Sequence, residues 1–517
     1  MTDALQLKDI LTTAITTMPT LTEEQEAIIG AARDNHHNIT GKARAGSGKT
    51  FILKMLASLW PDKSILYVTF SKLLVDEAKA SGALPSNVNI STAHGLAYAS
   101  TKKFYSPASP LNVSEYQREL ALFEHLNCPM FEETEDMEPD ECSMVRDYKR
   151  SFLDLIRFCK FNMATGDQTS IDEVVVYYGL SVEPFMMELL DQAMKFYLKP
   201  SKTIDFTEMV HTPVYLNLPM PQYDVILADE VQDSSLMLMK LYEKCLKPGG
   251  KIICVGDDKQ AIYGFAGSRN EALDLFSANF QCEVMPLSVN FRCGRNHIEL
   301  AQSIVPDIVA HENAIDGVIR ESFEPKLKDL KSGDLILCRT NAPLVGPCLS
   351  LIKDGHKAMI KGKDIAGPII NILKKVNKLP KTKALDKVID NEEADLRLAE
   401  RRRYKKASID AIGERYSIAK SFLMESDSVD QAVARINMIF SDKTEGIVFS
   451  SIHKSKGLEA DRVTILQANK IRMNRNDMLP WQHEQEANLH YVALTRAKQE
   501  LTLMYETVEV EKEADEE

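Results

Sequence analysis

The segment Ala43-Arg44-Ala45-Gly46-Ser47-Gly48-Lys49-Thr50 ends in Gly-Lys-Thr, the close of a phosphate-binding loop. A weak strand, His37–Gly41, precedes it, and an apolar run at helical spacing, Phe51–Ala57, follows it. Strand, glycine turn and helix are the context that this motif requires. Glycines let backbone N–H groups approach phosphate oxygens, and the helix N-terminus adds a positive dipole end. The segment predicts a nucleotide site in which Lys49 reaches the β- and γ-phosphates and the Thr50 hydroxyl binds Mg²⁺, although Ala43 stands where the usual pattern has Gly.

The composition is that of a globular chain with several domains. Its 517 residues favour roughly two to four domains, and 44% hydrophobic and 26% charged residues are ordinary values for a soluble protein. The net charge of −13 does not exclude nucleic acid as a partner, because local patches bind phosphates. Much of the acid lies in Glu132–Glu141 and Glu511–Glu517, which we interpret as a solvated loop and a frayed tail.

The cysteine pattern indicates a reducing compartment. The 9 cysteines include no Cys-x-x-Cys pair, which argues against a zinc or iron–sulfur site and for free thiols. The N-terminus carries Asp3, Lys8 and Asp9 and lacks an apolar signal core. No apolar run approaches the ~20 residues of a membrane span. We therefore expect an intracellular, soluble protein without a membrane partner.

Gln25 has two interpretations. Thr22 is a good N-cap for the helix that begins near Leu21, and Gln25, three residues later, completes a capping box. Alternatively, the Gln25 amide forms hydrogen bonds with the edge of adenine. The pattern alone favours the cap, but its position shortly upstream of the phosphate loop favours adenine binding.

Strands and helices alternate after the loop, which predicts a parallel sheet with ligands at the C-terminal ends of its strands. Ser64–Phe70 is a predicted buried strand, and Val88–Gly95 is another that ends in polar residues. The candidates at these ends are Thr69, Phe70, Thr92 and His94. Phe70 could equally be a core residue, and His94 could be an ordinary loop histidine.

The alternation stops in residues 100–200, where helical segments predict an inserted subdomain. It returns at Gln222–Ala228, an apolar strand that runs into Asp229 and Glu230. Acidic residues directly after a buried strand are costly unless they have a task. We predict that Asp229 holds Mg²⁺ through water and that Glu230 orients and deprotonates the attacking water.

Another predicted strand, Lys251–Val255, leads to a second candidate loop. Gln260 can sense the γ-phosphate, and Tyr263 and Phe265 offer aromatic faces that stack on bases of any sequence. One loop can thus link the state of the phosphate to base contact. Further on, Leu287–Arg292 sets an aromatic ring beside an arginine, which suits adenine stacking and neutralisation of transition-state charge.

This ordered set of motifs resembles superfamily 1 DNA helicases of the UvrD/Rep-like group. Downstream segments extend the likeness to the second motor lobe of that family, and these are Leu335–Asn341, Ser451–Glu459 and Tyr491–Lys498. The second segment matches the motif Thr-x-His-x-x-Lys-Gly-Leu-Glu with Ser451 in the Thr position, and the third matches the family's last motif. Alanine is usual in this group at the position of Ala43. Ser71-Lys72 and Asn488 suggest the F-box-helicase-like branch, although no F-box is visible.

The resemblance implies an α/β fold with two RecA-like parallel-sheet motor lobes, each with a mainly helical insertion. ATP and Mg²⁺ are then the expected cofactors, and single-stranded DNA and single/double-strand junctions are the expected partners. The implied activity is translocation on single-stranded DNA, usually 3′→5′, with duplex unwinding in DNA repair, replication or recombination.

The resemblance also assigns roles to residues at the matching positions. The catalytic assignments are Lys49, Asp229, Glu230, Gln260, Arg292 and Arg496, the two arginines being arginine fingers. The ATP-binding assignments are Gln25, Ala45, Gly46, Ser47, Gly48, Lys49, Thr50, Phe291, Arg292, Glu459 and Arg496. Phe291 would stack on adenine, Glu459 would touch the ribose, and Thr50 and Asp229 would hold the metal. The DNA-binding assignments are Phe70, His94, Tyr263, Phe265, Asn341 and His453.

The expected domains follow from the positions of the motifs. The first lobe comprises residues 1–99 and 200–290 with a helical insertion at 100–199, and the second comprises 291–370 and 441–510 with a reduced insertion at 371–440, before an acidic tail at 511–517. In the second insertion, Arg401–Lys406 is either a solvated helix face or an arm that contacts phosphates. Both insertions and the tail are candidate docking sites for a protein partner.

Three functions remain in competition. The favoured one is an ATP-driven DNA helicase or translocase. A translocase that strips proteins from single strands without processive unwinding has the same sequence features. A nucleotide-gated DNA-binding adaptor would show degenerate catalytic positions, whereas Lys49, Glu230, Gln260, Arg292 and Arg496 are all present.

Overall fold

The computed structural model describes residues 20–34, 37–69, 71–106, 109–134, 137–164, 166–323, 329–401, 406–441 and 445–506. Its elements as far as residue 215 are α1 (Glu23–Asp34), β1 (Ile39–Ala43), α2 (Lys49–Ala57), β2 (Ile65–Thr69), α3 (Lys72–Ala80), β3 (Val88–Thr92), α4 (Ala93–Tyr105), β4 (Asn112–Val113), α5 (Glu115–Leu126), α6 (Pro139–Phe161), α7 (Gln168–Tyr178), α8 (Pro184–Tyr197), β5 (Thr203–Ile204) and α9 (Phe206–Tyr215).

The middle of the chain holds β6 (Tyr223–Ala228), α10 (Leu236–Cys245), β7 (Leu246–Gly256), α11 (Ala272–Asn279), β8 (Glu283–Leu287), β9 (Val289–Asn290), α12 (Arg295–Gln302) and β10 (Val309–Ala310). The remaining elements are β11 (Val318–Ser322), β12 (Leu335–Cys338), α13 (Ala342–Lys353), β13 (Ala358–Lys361), α14 (Lys363–Lys374), α15 (Lys381–Arg401), α16 (Lys406–Met424), α17 (Val429–Ile439), β14 (Phe440–Ser441), β15 (Ile447–Ser451), β16 (Ala460–Ile465), α18 (Pro480–Leu494) and β17 (Ala497–Met504).

Two parallel sheets organise the molecule, which confirms the predicted α/β class with two RecA-like lobes. The first sheet has the order β3-β2-β6-β7-β1-β8, and the second has the order β11-β17-β16-β12-β15-β13-β14. Strands buried on both faces read as continuous apolar runs, and Ile65–Val68 of β2 is such a run, with every residue at most 1% exposed. Helices cover both faces of the first sheet, since two separate apolar clusters form there, around Leu53 and around Leu241.

The predicted strands are found close to where the sequence placed them. β1 begins and ends two residues later than predicted and runs directly into the phosphate loop. The strand predicted from Val88 ends at Thr92, because the Thr92 side chain accepts a hydrogen bond from Gly95 N–H and starts α4. His94 therefore lies in the first turn of a helix.

Mainly helices fill the interval between β3 and β6, which includes the helical subdomain predicted at residues 100–199. Its core is a separate apolar cluster that includes Phe152, Leu190 and Tyr178. The sequence did not indicate the short parallel pair of β4 and β5 inside it. The predicted boundaries at residues 99/100 and 370/371 fall within α4 and α14, and the domain limits stay predictions.

The predicted second insertion at residues 371–440 contains helices α15 to α17 and the end of α14, and α16 packs against α13, α14 and α15. Arg401 ends α15 and Lys406 begins α16. The other residues of this basic run, like the acidic tail and the first 19 residues, lie outside the described part of the chain. None of the helices described is both long and apolar enough to cross a membrane.

Candidate nucleotide and DNA sites

The phosphate loop links β1 to α2 through two glycines in the left-handed region. Gly46 has φ 65° and Gly48 has φ 81°, a conformation that residues with a Cβ adopt at a cost. A Cβ on Gly46 would also lie 2.6 Å from Asn290 Nδ2. Gly48 gives α2 no side-chain cap, so the first N–H groups of the helix are left for another acceptor. The buried Ser47 hydroxyl has no hydrogen-bond partner. These free donors fit a bound phosphate chain.

Residues from distant parts of the chain fix the shape of this loop. Asn290 Nδ2 donates to Ala45 O at 2.6 Å, and Phe291 N–H donates to Gly46 O at 2.9 Å. From the second lobe, the Tyr491 hydroxyl accepts a hydrogen bond from Ala45 N–H at 2.9 Å. The sequence assigned no role to Tyr491, and its position in the motif at the end of α18 was the only signal.

The two predicted acids meet the loop as expected from their positions. The Thr50 hydroxyl donates to Asp229 Oδ2 at 2.9 Å, and Tyr67 donates to the same oxygen at 2.8 Å. Lys49 Nζ lies 3.4 Å from Glu230 Oε1. A hydroxyl and a carboxylate in contact are the hard oxygen ligands that Mg²⁺ prefers, so Thr50 and Asp229 fit the predicted metal site.

The surroundings shift the pKa values of the two carboxylates, Asp229 and Glu230, in opposite directions. Burial raises the pKa of Asp229 above its usual value. Burial acts in the same direction on Glu230, but the charges of Lys49 and Lys456 outweigh it and hold the pKa of Glu230 below its usual value. Glu230 is thus kept ionised, as a proton acceptor must be. Its backbone has φ 57°, a strained conformation for a residue with a Cβ.

The predicted sensor and both predicted arginine fingers converge on one place. Gln260 Nε2 donates to Asp257 Oδ2 at 2.7 Å, and Arg496 Nη2 donates to Gln260 Oε1 at 3.3 Å. Arg292 pairs with Glu459 at 2.5 Å. Burial and the nearby charge of Arg292 lower the pKa of Arg496 to about 10. The charges of Arg292 and Arg496 repel each other, so an anion bound near both would be favoured.

The residues predicted to bind the base and ribose make other contacts here. Gln25 Oε1 accepts from Thr22 N–H, and Thr22 Oγ1 accepts from Gln25 N–H, both at 3.2 Å, which confirms the capping box. Gln25 Nε2 donates to Ser47 O at 3.2 Å. Its adenine role stays a prediction, as does the ribose role of Glu459. The Phe291 ring is 43% exposed and lies 4.7 Å from the ring of His311, so it presents an open aromatic face.

Polar groups to which the sequence assigned no contact between the lobes are part of that boundary. Lys456 Nζ, from the second lobe, lies 2.6 Å from Asp233 Oδ2 and donates to Gln260 O at 2.7 Å. Asn488 Nδ2 of α18 donates to Ala261 O at 3.0 Å. The loop that carries Gln260 is therefore held by the second lobe on two sides. The sequence signal for Lys456 was its position as the lysine of the motif Thr-x-His-x-x-Lys-Gly-Leu-Glu, which gave it no partner.

Three of the predicted DNA-binding residues form one aromatic group. The rings of Tyr263 and Phe265 are 5.8 Å apart, and those of Phe265 and His453 are 6.4 Å apart. Phe265 is 58% exposed. Burial and the charge of Arg339 lower the pKa of His453 to about 4, so its ring is neutral at pH 7. Phe265 and His453 line a groove of about 880 Å³ between the second lobe and helices α15 and α16.

Of the other three predicted DNA-binding residues, the two that the structure describes are not among the contacts of this aromatic group. Asn341 precedes α13, its Oδ1 is buried without a partner, and its N–H donates to Glu414 of α16. His94 lies in the first lobe, edge to face with the exposed Phe206 at 6.0 Å. Phe70 lies outside the described residues.

Comparison with known proteins covers nearly the whole chain. Residues 21–281 match the family described as UvrD/REP helicase N-terminal domain, and residues 285–507 match the UvrD-like helicase C-terminal domain. The chain is 26% identical to F-box DNA helicase protein 1 of Schizosaccharomyces pombe, over 93% of this chain and 57% of that protein. It is 24% identical to F-box DNA helicase 1 of Gallus gallus, over 95% and 49%. It is 23% identical to DNA helicase II of Escherichia coli, over 56% and 40%. The chain thus spans about half the length of the curated relatives it matches.

Proposed function

Because the chain belongs to the UvrD/REP family of helicases, we propose that it hydrolyses ATP to move along single-stranded DNA and to separate duplex strands. The observation that carries this proposal is the meeting of both lobes at one site. Lys49, Thr50, Asp229 and Glu230 come from the first lobe, and Arg496 reaches Gln260 beside them from the second. Opening and closing of the lobes would then assemble and disperse the catalytic groups.

The chain's own residues supply most of the proposed chemistry. The loop N–H groups, the Ser47 hydroxyl and Lys49 bind the phosphates, and Phe291 stacks on the base. Glu230, ionised beside Lys49, orients the attacking water and takes its proton. Arg292 and Arg496 offset the negative charge that develops on the transferring phosphoryl group. Mg²⁺ held by Thr50 and Asp229 would neutralise phosphate charge.

Contact with DNA is coupled to this site through one short loop. Gln260 lies three residues before Tyr263 and five before Phe265, and Lys456 touches both ends: its Nζ bonds Gln260 O and lies 5.1 Å from the Tyr263 ring. A shift of Gln260 on hydrolysis would therefore move the aromatic group. We propose that Phe265 stacks on a base in the groove beside His453. By resemblance to the family, the proposed direction of movement is 3′→5′ and the proposed location is intracellular.

Steady-state ATPase activity with and without single-stranded DNA tests the proposal, with Lys49→Ala as control. Strong stimulation that Lys49→Ala abolishes is the expected result. Glu230→Gln should keep ATP binding and lose turnover, and wild-type turnover in that variant would remove Glu230 as the base. A wild-type protein without turnover would favour the nucleotide-gated adaptor. Duplexes with a single-stranded tail at one end or the other then test unwinding and its polarity. Release of a protein bound to single-stranded DNA without a duplex tests stripping.

Phe265→Ala tests the proposed coupling. It should weaken stimulation by single-stranded DNA more than the basal ATPase, since stacking contributes ~1–3 kcal/mol per base. Phe323→Ala is the matched control, because Phe323 is also exposed (64%) but lies next to β11, and it should change neither activity. Equal loss of stimulated and basal activity in Phe265→Ala would make Phe265 a packing residue only.

A further inference from the structure

Arg44, the second residue of the phosphate loop, is buried among three carboxylates. Its side chain is 6% exposed. Its Nε donates to Asp307 Oδ1 at 2.8 Å and its Nη2 to Asp307 Oδ2 at 2.5 Å. Its Nη1 lies 2.6 Å from Asp258 Oδ1 and 3.4 Å from Asp257 Oδ1. With a further hydrogen bond from Nη1 to Ala43 O at 3.2 Å, all three guanidinium nitrogens have acceptors inside the protein, so Arg44 is not directed at a nucleotide although it lies in the phosphate-binding motif.

One of these carboxylates connects Arg44 to the sensor. Asp257 is fully buried. Its Oδ1 faces Arg44, and its Oδ2 accepts from Gln260 Nε2 at 2.7 Å. The other end of the Gln260 amide, Oε1, accepts from Arg496 Nη2 at 3.3 Å. Arg44, Asp257, Gln260 and Arg496 therefore form a continuous chain of polar contacts from the phosphate loop to the second lobe.

The protonation state of Asp257 determines which end of the Gln260 amide can face it. An ionised Asp257 only accepts hydrogen bonds, so it selects the NH₂ end of the amide and leaves Oε1 toward Arg496. A protonated Asp257 could donate instead, and either end of the amide could then face it. A buried carboxylate stays ionised only when a cation compensates for its burial.

We propose that Arg44 is a positioning residue for ATP hydrolysis, which pairs with Asp257 and thereby holds the Gln260 side chain in the orientation that meets Arg496. The inference rests on the proposed ATPase function and adds to it a residue that acts through two others. If Arg44 instead bound a phosphate group directly, its loss would mainly change the affinity for ATP.

The groups that face Asp257 support this role. They are Arg44, Lys49, the neighbouring Asp258 and the Tyr491 hydroxyl. Burial raises the pKa of Asp257, and Lys49 and Arg44 oppose that rise. Removal of the Arg44 charge leaves Asp258 in place and takes away a cation, so the pKa of Asp257 rises further. The acidic limb of the ATPase pH profile should then move to higher pH.

A double-mutant cycle with Arg44→Met and Gln260→Ala tests the inference. Arg44→Met should lower kcat by about 10- to 100-fold, the effect typical of residues that orient a ligand from behind it, and change the KM for ATP much less. The double variant should be no slower than Gln260→Ala alone, because both changes remove the same orientation. Losses that multiply would overturn the inference, and so would a raised KM with unchanged kcat, the sign of direct phosphate binding.

Two further variants separate positioning from simple stability. Arg118→Met removes another buried arginine, paired with Glu208 at 2.7 Å in the helical subdomain, and should lower stability while preserving kcat and the pH profile. Asp307→Asn removes the charge that pairs with Arg44 on the solvent side, because the Asp307 side chain is 60% exposed. If Arg44→Met does not fold, Asp307→Asn takes its place in the cycle, with a smaller loss of kcat.

A second readout keeps this test independent of the proposed function. A wild-type protein without turnover would contradict the proposed ATPase. The denaturant midpoints of wild type, both single variants and the double variant form a cycle that needs no turnover. Coupled midpoints support the polar chain, whereas midpoint shifts that add without coupling overturn it.

Discussion

Tyr491→Phe removes one oxygen atom from the contact between α18 and the phosphate loop. The Tyr491 hydroxyl accepts from Ala45 N–H at 2.9 Å, and both residues are fully buried. Phenylalanine keeps the ring in its apolar cluster with Ile298 and Ala301. The substitution therefore leaves packing in place and removes the hydrogen-bond partner of a single buried N–H group.

The magnitude follows from that unsatisfied group. A buried donor left without an acceptor costs ~1–3 kcal/mol, which corresponds to about 5- to 150-fold in an equilibrium constant. The cost arises only where α18 touches the loop, so it disfavours the closed arrangement of the lobes. If ATP binds that arrangement, its apparent affinity should fall by the same factor.

Titration with a fluorescent ATP analogue measures this loss, and thermal denaturation verifies that the variant is folded. Tyr105→Phe is the matched control, because Tyr105 also has a buried hydroxyl, which contacts Thr212 in the helical region. Its ATP affinity should equal that of the wild type. A folded Tyr491→Phe protein within about twofold of wild-type affinity, well below the loss derived from the buried N–H, would refute the reasoning.

Three further predictions concern single side chains. Gly46→Ala should abolish ATP binding without unfolding the protein, because its Cβ would lie 2.6 Å from Asn290 Nδ2 at φ 65°; nucleotide titration checks this, and retained affinity would show that the loop can move away. Burial lowers the pKa of His211 to about 3, compared with ~6.5 in the unfolded chain. The free energy of unfolding therefore carries no cost from His211 above pH ~6.5. Below that pH it falls by about 1.4 kcal/mol per pH unit, because the unfolded chain binds a proton that the folded chain does not. His211→Phe should flatten this dependence in denaturant titrations at pH 7.5 and 5, and equal slopes would contradict the assignment. Glu414→Gln should tighten single-stranded DNA binding roughly threefold at low salt by removing an anion from the groove; fluorescence anisotropy at two salt concentrations measures it, and a gain that persists at high salt would exclude the electrostatic cause.

Much of the fold was predictable because its signals are local. A buried parallel strand is a continuous apolar run, and β2 and β6 were found within one or two residues of the predicted segments. The phosphate loop was predictable for the same reason, since its glycines, lysine and threonine are adjacent in the chain. Asp229 and Glu230 were recognisable because acids rarely follow a buried strand without a function.

Contacts between distant segments were not predictable. Arg44 and Asp307 are 263 positions apart, and Ala45 and Tyr491 are 446 apart. No local period marks such a pair, because a buried charge looks like a surface charge until its partners are known. The roles of residues that orient others, such as Arg44, Tyr491 and Lys456, therefore required the structure.

Gln25 shows how a structural and a functional interpretation can apply to one side chain. Its Oε1 completes the helix cap, while its Nε2 donates to Ser47 O inside the phosphate loop. The cap thus holds the amide beside the place where a nucleotide is proposed to bind. Confirmation of the capping box leaves the adenine role as a prediction, because a base would have to compete with the present contacts of the amide.

Polar groups form part of the contact between the lobes, beside the apolar packing of Ile262 and Ala45 against buried residues of the second lobe. Lys456 Nζ lies 2.6 Å from Asp233 Oδ2, and both side chains are nearly buried. A buried ion pair adds little net stability, because desolvation offsets most of the attraction. Burial and the nearby charge of Glu230 raise the pKa of Asp233, and the charge of Lys456 opposes that rise. The polar groups can exchange each other for water when the lobes separate. Closure would then depend on what binds between the lobes.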